Sequence, residues 1–316
     1  MRVAYQGEPG AFSEAAVLRL LPGADPRPYP TFDEVFDAVH AGAVALGVVP
    51  VENSIGGSIH RNYDLLVERD LAIVGEVQVP VVHHLLALPG VELDEVRRVL
   101  SHPQALAQCA RFLRGLEQVE AIATYDTAGS AKMVRDEQRR DTAAIASERA
   151  GQLFGLRALR AGVQDYDDNI TRFLAISRER APLAAPDKTS LVFTLRNEPA
   201  ALFKALSCFA LRGLDLSKLE SRPVPGRPWE YLFYADVAAA REDLQCTRAM
   251  VHLAEFAASL RTLGSYPRWR EAETPPAAAA AARPLPGAPV KPDPTIQADA
   301  EPRAHAAIQQ EGLRRG

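Results

Sequence analysis

Short apolar runs alternate with stretches of helical periodicity through the first half of the chain. Residues 44–52 are almost wholly apolar, which is typical of a strand covered on both faces of a parallel sheet. Residues 2–7, 71–80 and 81–88 are further predicted strands. The pattern continues with strands over 96–101, 119–124 and 142–147, and with helices over 59–68, 103–114, 127–138 and 147–154. Strands that alternate with helices of this length predict an α/β layered fold.

A second unit begins after the proline- and alanine-rich segment 179–188. The pattern there predicts a strand, a helix, two strands, a helix and a strand, over 189–197, 199–213, 214–224, 229–237, 242–260 and 263–269. This βαββαβ order is the signature of a ferredoxin-like unit.

From about Thr274 the chain consists mainly of alanine, proline and scattered charges. A segment without aromatic residues or an apolar period buries too little surface to offset its ordering entropy. We therefore expect 274–316 to be mostly disordered.

Composition narrows the possible partners. A net charge of −4 and a pI near 6.0 argue against a nucleic-acid-binding protein. Cys109, Cys208 and Cys246 form no C-x-x-C pair, as expected in a reducing compartment without disulfides or a zinc site. The chain shows no secretory leader pattern and no apolar run of about 18 residues. We expect a cytoplasmic protein with no membrane or metal partner.

Polar side chains cluster where four predicted strands meet a turn or helix. The clusters are "PVENSIGGS" (50–58), "SHPQALAQC" (101–109), "YDTAGSAKM" (125–133) and "DDNITRF" (167–173). Taken alone, each is typical of a helix cap or turn. Ligands of α/β sheets gather at the carboxyl ends of strands, so the repetition predicts a shared site.

The chemistry of these clusters favours elimination over hydrolysis. The sequence contains no G-x-G-x-x-G, Walker, H-E-x-x-H or G-x-S-x-G motif. His83 and His84 are adjacent, so on a strand they face opposite ways and make a poor metal pair. Neutral donors, one arginine and backbone amides suit a site that holds a small carboxylate and stabilises a leaving group.

Six collinear motifs resemble the prephenate dehydratase family. They are "GEPGAFSE" (7–14), "VPVENSIGGS" (49–58), "LSHPQALAQC" (100–109), "DTAGSA" (126–131), "GLRALRAGVQDYDDNITRF" (155–173) and "ESRP" (220–223). The resemblance is to the monofunctional type, and it implies an α/β catalytic domain over 1–180 followed by a ferredoxin-like ACT domain over 188–271. The catalytic domain would be two-lobed and periplasmic-binding-protein-like, with lobes of about 1–77 plus 160–180 and 78–159.

The family reaction converts prephenate to phenylpyruvate, water and CO₂ without a cofactor. The resemblance implies that Thr171 is the key catalytic residue and assists departure of the ring hydroxyl. Arg172 or the amides of the 54–58 turn would hold a carboxylate. Further catalytic candidates are Asn53, Ser101 and Gln108. The implied substrate-binding set is Ser54, Gly57, Ser58, Thr127, Ser130, Asn169 and Phe173.

The resemblance also implies feedback inhibition by L-phenylalanine, bound between paired ACT domains. The positions that carry over are Ala200, Ala201, Leu202, Glu220, Ser221, Arg222 and Pro223. Ala200 stands where the family usually has glycine, and its methyl group would crowd a ligand that approaches the backbone closely. Pairing of ACT domains implies a homodimer or homotetramer.

Two alternatives stay open at this point. Relatives in the same family act on arogenate, in which an ammonium replaces the keto group of prephenate. A two-lobed protein with an ACT domain would also serve as a non-catalytic, amino-acid-responsive binding protein. The retained hydroxyl of Thr171 argues against this second alternative, because a pure binder has no need of it.

Overall fold

The computed structural model describes residues 1–224, 226–227 and 229–271 of the 316-residue chain. The predicted disordered segment 274–316 lies outside these residues. The strands are β1 (Arg2–Gln6), β2 (Asp25–Tyr29), β3 (Leu46–Asn53), β4 (Gly57–Ser58), β5 (Ala72–Pro80), β6 (His84–Ala87), β7 (Arg98–Ser101), β8 (Glu120–Ala123), β9 (Thr142–Ala146), β10 (Arg157–Arg160), β11 (Ile170–Ser177), β12 (Lys188–Leu195), β13 (Leu216–Pro223), β14 (Tyr231–Val237) and β15 (Ala257–Tyr266). The helices are α1 (Phe12–Leu20), α2 (Phe32–His40), α3 (His60–Glu68), α4 (Pro103–Gln108), α5 (Ala110–Arg114), α6 (Thr127–Asp136), α7 (Glu148–Phe154), α8 (Ala201–Ala210) and α9 (Leu244–Phe256).

The first sheet has the order β2-β1-β3-β11-β5, with β4 paired to β3. It is mixed rather than parallel, because β11 returns from the second lobe and pairs antiparallel with both β3 and β5. The edge strand β2 was not predicted, since it contains Pro26 and Pro28. An edge strand tolerates proline, because the amide missing at that residue can lie on the side away from the neighbouring strand.

The second sheet has the order β10-β6-β9-β7-β8 and packs with α4 to α7 around its own apolar core. Only the segments β5–β6 and β10–β11 connect it in sequence with the first sheet. The predicted helix over 103–114 is interrupted at Cys109, which separates α4 from α5. The interruption leaves the backbone oxygen of Gln108 free to accept from the amide of Asp165 (2.7 Å).

The third sheet has the order β13-β14-β12-β15, is fully antiparallel and carries α8 and α9. This arrangement confirms the predicted ferredoxin-like βαββαβ unit. The predicted end of the last helix at 260 is wrong, because α9 stops at Phe256 and β15 starts at Ala257. Pairing with β12 along almost the whole strand decides that boundary, which the alanine-rich local sequence does not reveal.

The third sheet packs directly on one face of the first. Val192, Tyr234 and Tyr266 share an apolar cluster with Leu174 and Ile176 of β11. Gly264 marks a point of close approach, since a Cβ at that position would lie 2.1 Å from the carbonyl oxygen of Ile73. The opposite face of β11, with Phe173 and Ala175, packs against α1. One strand therefore contacts the ferredoxin-like unit on one side and the interior of the first lobe on the other.

Candidate active site

A cleft of about 350 Å³ lies between the first and second sheets, and each of the four polar clusters contributes to its wall. The lining residues are Gln6, Phe12, Ser13, Phe32, Pro50, Asn53, Ile59, Val81, His83, His102, Gln104, Ala105, Gln108, Tyr125, Asp126, Thr127, Thr171 and Phe173. The polar ends of β3, β7 and β8 thus meet at one site, as the pattern of polar strand ends predicted.

Asn53 is held in one orientation by the backbone that follows it. Its Oδ1 accepts from the amides of Ile55 (3.1 Å) and Gly56 (2.7 Å), so its Nδ2 must face the opposite way. From there Nδ2 donates to Thr171 Oγ1 (3.0 Å) and to Asn169 Oδ1 (2.7 Å). The two backbone contacts therefore determine that Asn53 donates to, and does not accept from, Thr171 and Asn169.

Thr171 is poised as a hydrogen-bond donor to the cleft. It lies opposite Asn53 in the β3–β11 ladder, is 8% exposed and lines the cleft. Because Oγ1 accepts from Asn53, the hydroxyl hydrogen of Thr171 is not used in that bond. The proton is left to interact with a molecule in the cleft.

A series of hydrogen-bonded side-chain amides runs from Asn53, beside Thr171, to a histidine. Asn169 Nδ2 donates to Gln108 Oε1 (3.0 Å), which also lies 3.0 Å from His83 Nε2. Since Gln108 Oε1 can only accept, Nε2 of His83 carries the hydrogen and Nδ1 is left as an acceptor. That Nδ1 is buried without a hydrogen-bond partner, and burial lowers the pKa of His83.

His83 was missed by sequence reasoning, which considered it only as part of a metal pair. It is 2% exposed, lines the cleft and packs edge-on against Phe12. Its role depends on the contact with Gln108, which is 25 residues away in sequence. No local pattern carries that information.

The structure contradicts the prediction that Arg172 holds a substrate carboxylate. Its side chain points to the face of the first sheet opposite Thr171, where it is 11% exposed. It donates to Glu76 (2.7 Å) and Asp236 (2.6 Å), and also to the hydroxyl of Tyr266 (3.0 Å). Lys188 also donates to Glu76 (2.7 Å). The negative charges of Glu76 and Asp236 are therefore balanced by the positive charges of Arg172 and Lys188. Alternation along a strand sends neighbouring side chains to opposite faces, which excludes Arg172 from the cleft.

Several predicted hydroxyl residues do not line the cleft. Ser101 is fully buried and donates to the carbonyl of Ile145 (2.6 Å). Ser130 is also fully buried and donates to the carbonyl of Asp126 (2.8 Å). Ser54 bridges the carbonyl of Asp168 and the amide of Ile170. These hydroxyls stabilise the walls, so the prediction that they contact substrate is not supported by their positions.

Gly57 and Ser58 also lie outside the cleft lining, next to the ferredoxin-like unit. Gly57 has a positive φ of 77° as the first residue of β4. Ser58 Oγ donates to Glu220 Oε2 (2.6 Å) and accepts from Lys218 Nζ (2.9 Å). Asn169 is 1% exposed, and its side chain is hydrogen-bonded to Gln108 and Asn53. Among the predicted substrate contacts, Thr127 and Phe173 do line the cleft.

The predicted regulatory residues fall at two places in the ferredoxin-like unit. Ala200 precedes α8 with a left-handed φ of 61°, while Ala201 and Leu202 form the first residues of that helix. Glu220, Ser221, Arg222 and Pro223 lie at the end of β13. Two of them contact the first lobe, since Glu220 lies 2.9 Å from His60 Nδ1 and Arg222 lies 2.6 Å from Asp64.

The electrostatic character of the cleft is acidic. Among the described residues that line it, Asp126 is the one carboxylate and there is no lysine or arginine. Asp126 caps α6 through Oδ1, which accepts from the amide of Gly129 (2.8 Å), and burial raises the pKa of its carboxyl group. In the described part of the chain, no group of three or more histidine, cysteine or acidic side chains is arranged to hold a metal ion. None of the helices described there is long and apolar enough to cross a bilayer.

Two α/β lobes enclose a cleft lined by hydrogen-bonding side chains, and a ferredoxin-like unit packs on the first lobe. This arrangement defines a two-lobed α/β class of protein. Comparison with known proteins narrows this class. The family model for prephenate dehydratase matches residues 3–181, and the chain belongs to this family. The expected α/β fold class and the expected enzyme activity are thereby confirmed.

Three similar proteins illustrate the family, two of them described as dehydratases and one as an acylase. The chain is 48% identical over 280 residues to arogenate dehydratase/prephenate dehydratase 2 of Arabidopsis thaliana, covering 84% of this chain and 73% of the relative. The structure of prephenate dehydratase from Arthrobacter aurescens, in complex with L-Phe, is 32% identical with a TM-score of 0.77, covering 85% and 90% of the two chains. GqqA, described as a novel type of quorum-quenching acylase, is 38% identical with a TM-score of 0.78, covering 85% and 98%.

Proposed function

We propose that this enzyme carries out decarboxylative dehydration in the cleft beside Thr171, converting prephenate to phenylpyruvate in the biosynthesis of L-phenylalanine. The observation that supports this site most strongly is the orientation of the Thr171 hydroxyl. Asn53 fills its acceptor position, so its hydrogen is available to a leaving group in the cleft.

The reaction requires little covalent chemistry from the protein. The bond between the ring and its carboxylate breaks, and its electrons enter the ring as CO₂ leaves. The ring then becomes aromatic as the carbon–oxygen bond at the opposite position breaks, and the departing hydroxide takes up a proton to form water. A donor fixed in the cleft stabilises the charge that develops on this oxygen.

Thr171 supplies that donor, and the residues behind it hold it in place. A threonine hydroxyl is a weak acid, so its contribution is a hydrogen bond that strengthens as hydroxide leaves. Asn53, Asn169 and Gln108 orient Thr171 and do not exchange protons themselves. The departing hydroxide takes up its proton from solvent and leaves as water.

A carboxylate of the substrate must be held without Arg172. The amides of Ile55 and Gly56 are already used by Asn53. Thr127 lines the cleft as the first residue of α6, where a hydroxyl group and the amino end of a helix favour an anion. We assign a substrate carboxylate to this position.

The name of the Arabidopsis thaliana relative favours arogenate as a second substrate. The acylase description of GqqA suggests a different chemistry, in which a nucleophile is activated by a neighbouring base. Among the described residues that line the cleft, no serine or threonine hydroxyl is hydrogen-bonded to a histidine or a carboxylate. Without an activated nucleophile among these residues, the site favours elimination over acyl transfer. A non-catalytic binding protein would not need Thr171 in this orientation.

We also propose that residues 1–180 form the catalytic domain and residues 188–271 an ACT domain that binds L-phenylalanine. The complex of the Arthrobacter aurescens relative with L-Phe supports this regulation. A ligand near the end of β13 would act on the first lobe through Glu220 and Ser58 (2.6 Å). By resemblance, ACT domains pair into a homodimer or homotetramer, and we expect the enzyme to work in the cytoplasm without a cofactor.

The test is direct turnover by the purified full chain. Prephenate and arogenate are supplied separately, and phenylpyruvate and phenylalanine are measured. Formation of phenylpyruvate from prephenate supports the proposal. Absence of both products would contradict it and favour the binding-protein alternative.

A further inference from the structure

The wall of the cleft carries an acidic side chain that no cationic side chain offsets among the described lining residues. Asp126 contributes the carboxylate among the described lining residues, and no lysine or arginine there offsets it. A partly buried carboxylate without a cationic partner favours a ligand that supplies one.

Only part of the Asp126 carboxylate is needed for the fold. Oδ1 caps α6 by accepting from Gly129. Oδ2 faces Gly7, which has a φ of 116° and where an added Cβ would lie 3.2 Å from this oxygen. Gly7 therefore places no side chain against Oδ2, and Asp126 lines the cleft.

The two candidate substrates differ in one group beside this carboxylate. Prephenate carries a keto group, which only accepts hydrogen bonds and does not offset the repulsion between Asp126 and the carboxylates that both substrates share. Arogenate carries an ammonium group in the same position, and this group donates three hydrogen bonds. An aspartate next to a hydroxyl at a helix start, as in Asp126 and Thr127, matches the ammonium and carboxylate of an amino acid.

We propose that Asp126 binds the ammonium group of arogenate and makes this enzyme more efficient with arogenate than with prephenate. The inference rests on the proposed function, since it assigns the amino-acid side of the same substrate site. Thr127 takes the neighbouring carboxylate, and Thr171 acts on the ring hydroxyl in both substrates.

The test compares kcat/KM for both substrates in the wild type and in Asp126→Asn. Asparagine caps a helix about as well as aspartate, so the variant removes charge and keeps the start of α6. The ratio of kcat/KM for arogenate to that for prephenate should fall about 10- to 100-fold, as expected for loss of a hydrogen bond to a charged group. Prephenate should gain in kcat/KM, because repulsion of its carboxylates is removed.

Asp243→Asn is the matched control. Asp243 caps α9 by accepting from Gln245 (2.8 Å) and Cys246 (3.1 Å), in the ferredoxin-like unit and outside the cleft lining. Its substrate ratio should stay within about twofold of the wild-type value, well short of the loss of a charged hydrogen bond. Asp126→Ser, which also retains a capping oxygen, should repeat the loss of preference if Asp126→Asn folds poorly.

The outcomes separate the inference from the proposed function. Turnover of prephenate with no turnover of arogenate would overturn the inference and leave the function intact. Equal losses for both substrates in Asp126→Asn and Asp126→Ser would overturn it as well, because they would show a purely structural role. Failure of the wild type with both substrates would instead contradict the proposed function.

Discussion

Thr171 and Arg172 are consecutive residues of β11, and their side chains serve opposite faces of one sheet. The Thr171 hydroxyl lies 3.0 Å from Asn53 Nδ2 at the cleft, and Arg172 lies 2.6 Å from Asp236 of the ferredoxin-like unit. A single strand therefore carries the proposed donor and a buried ionic contact between the first lobe and the ferredoxin-like unit. Any shift of the ferredoxin-like sheet would act on β11 one residue away from the reacting hydroxyl.

Arg172 is predicted to stabilise the fold rather than to bind substrate. Arg172→Met leaves Glu76 and Asp236 buried with one partner fewer, and such a loss typically costs about 3–5 kcal/mol. Urea unfolding would measure the change. Arg27→Met is the matched control, because the Arg27–Asp25 pair is about half exposed and should cost no more than about 1 kcal/mol. Equal stability of Arg172→Met and the wild type would contradict this assignment.

Asn53 is predicted to control the direction of the Thr171 hydroxyl. Asn53→Asp replaces the donating Nδ2 by an oxygen that only accepts, so Thr171 would turn its hydrogen toward the introduced carboxylate and away from the cleft. We expect kcat to fall about 100-fold or more, as when a fixed donor is removed from other active sites, with KM less affected. Steady-state kinetics and a thermal melt would measure both effects. A kcat close to that of the wild type would show that the orientation does not matter.

His83 is predicted to be neutral, with its hydrogen on Nε2. Burial lowers its pKa, so the folded chain resists protonation while the unfolded chain protonates near pH 6.5. Stability should therefore be lost progressively as the pH falls below about 6.5, and less so in His83→Gln. Nitrogen-15 spectra, with the His83 signals assigned by their absence in His83→Gln, would report the tautomer. A hydrogen on Nδ1, or protonation at the pH typical of an exposed histidine, would contradict the hydrogen-bond chain.

Asp126 is predicted to give arogenate turnover an acidic limb that prephenate turnover lacks. Burial raises the pKa of Asp126, so its charge is lost at a higher pH than for an exposed aspartate. As the pH falls through that pKa, the ammonium of arogenate loses its partner and kcat/KM declines. The limb should be absent from the kcat/KM profile of Asp126→Asn. The same limb in the variant would assign it to another group.

Much of the cleft could be predicted from local sequence. Asn53, Gln108 and Thr171 stand at strand or helix ends, and strand ends of an α/β sheet converge. Side chains alternate between the two faces of a strand, so Thr171 and Arg172 are expected to face opposite ways. Both were nevertheless assigned to one site, because they belong to one motif. Ser101 and Ser130 have hydroxyl side chains like those that line the cleft. Only their hydrogen bonds to buried backbone carbonyls show that they lie outside it.

Long-range contacts explain what the sequence did not reveal. The hydrogen bond to Gln108 determines the tautomer of His83. The ion pairs of Arg172 with Glu76 and Asp236, which are distant from it in sequence, determine where its side chain lies. The boundary between α9 and β15 depends likewise on pairing with β12. Tertiary context overrides local propensity at each of these places.

The hydroxyl of Thr171 carries the central claim, and kcat of Thr171→Val and Thr171→Ser tests it most directly. Valine keeps the shape of threonine but has no donor, whereas serine keeps the donor. With prephenate as substrate, we predict that kcat falls at least about 100-fold in Thr171→Val, with the fold retained, and recovers largely in Thr171→Ser. Turnover by Thr171→Val within a few fold of wild type would contradict the account.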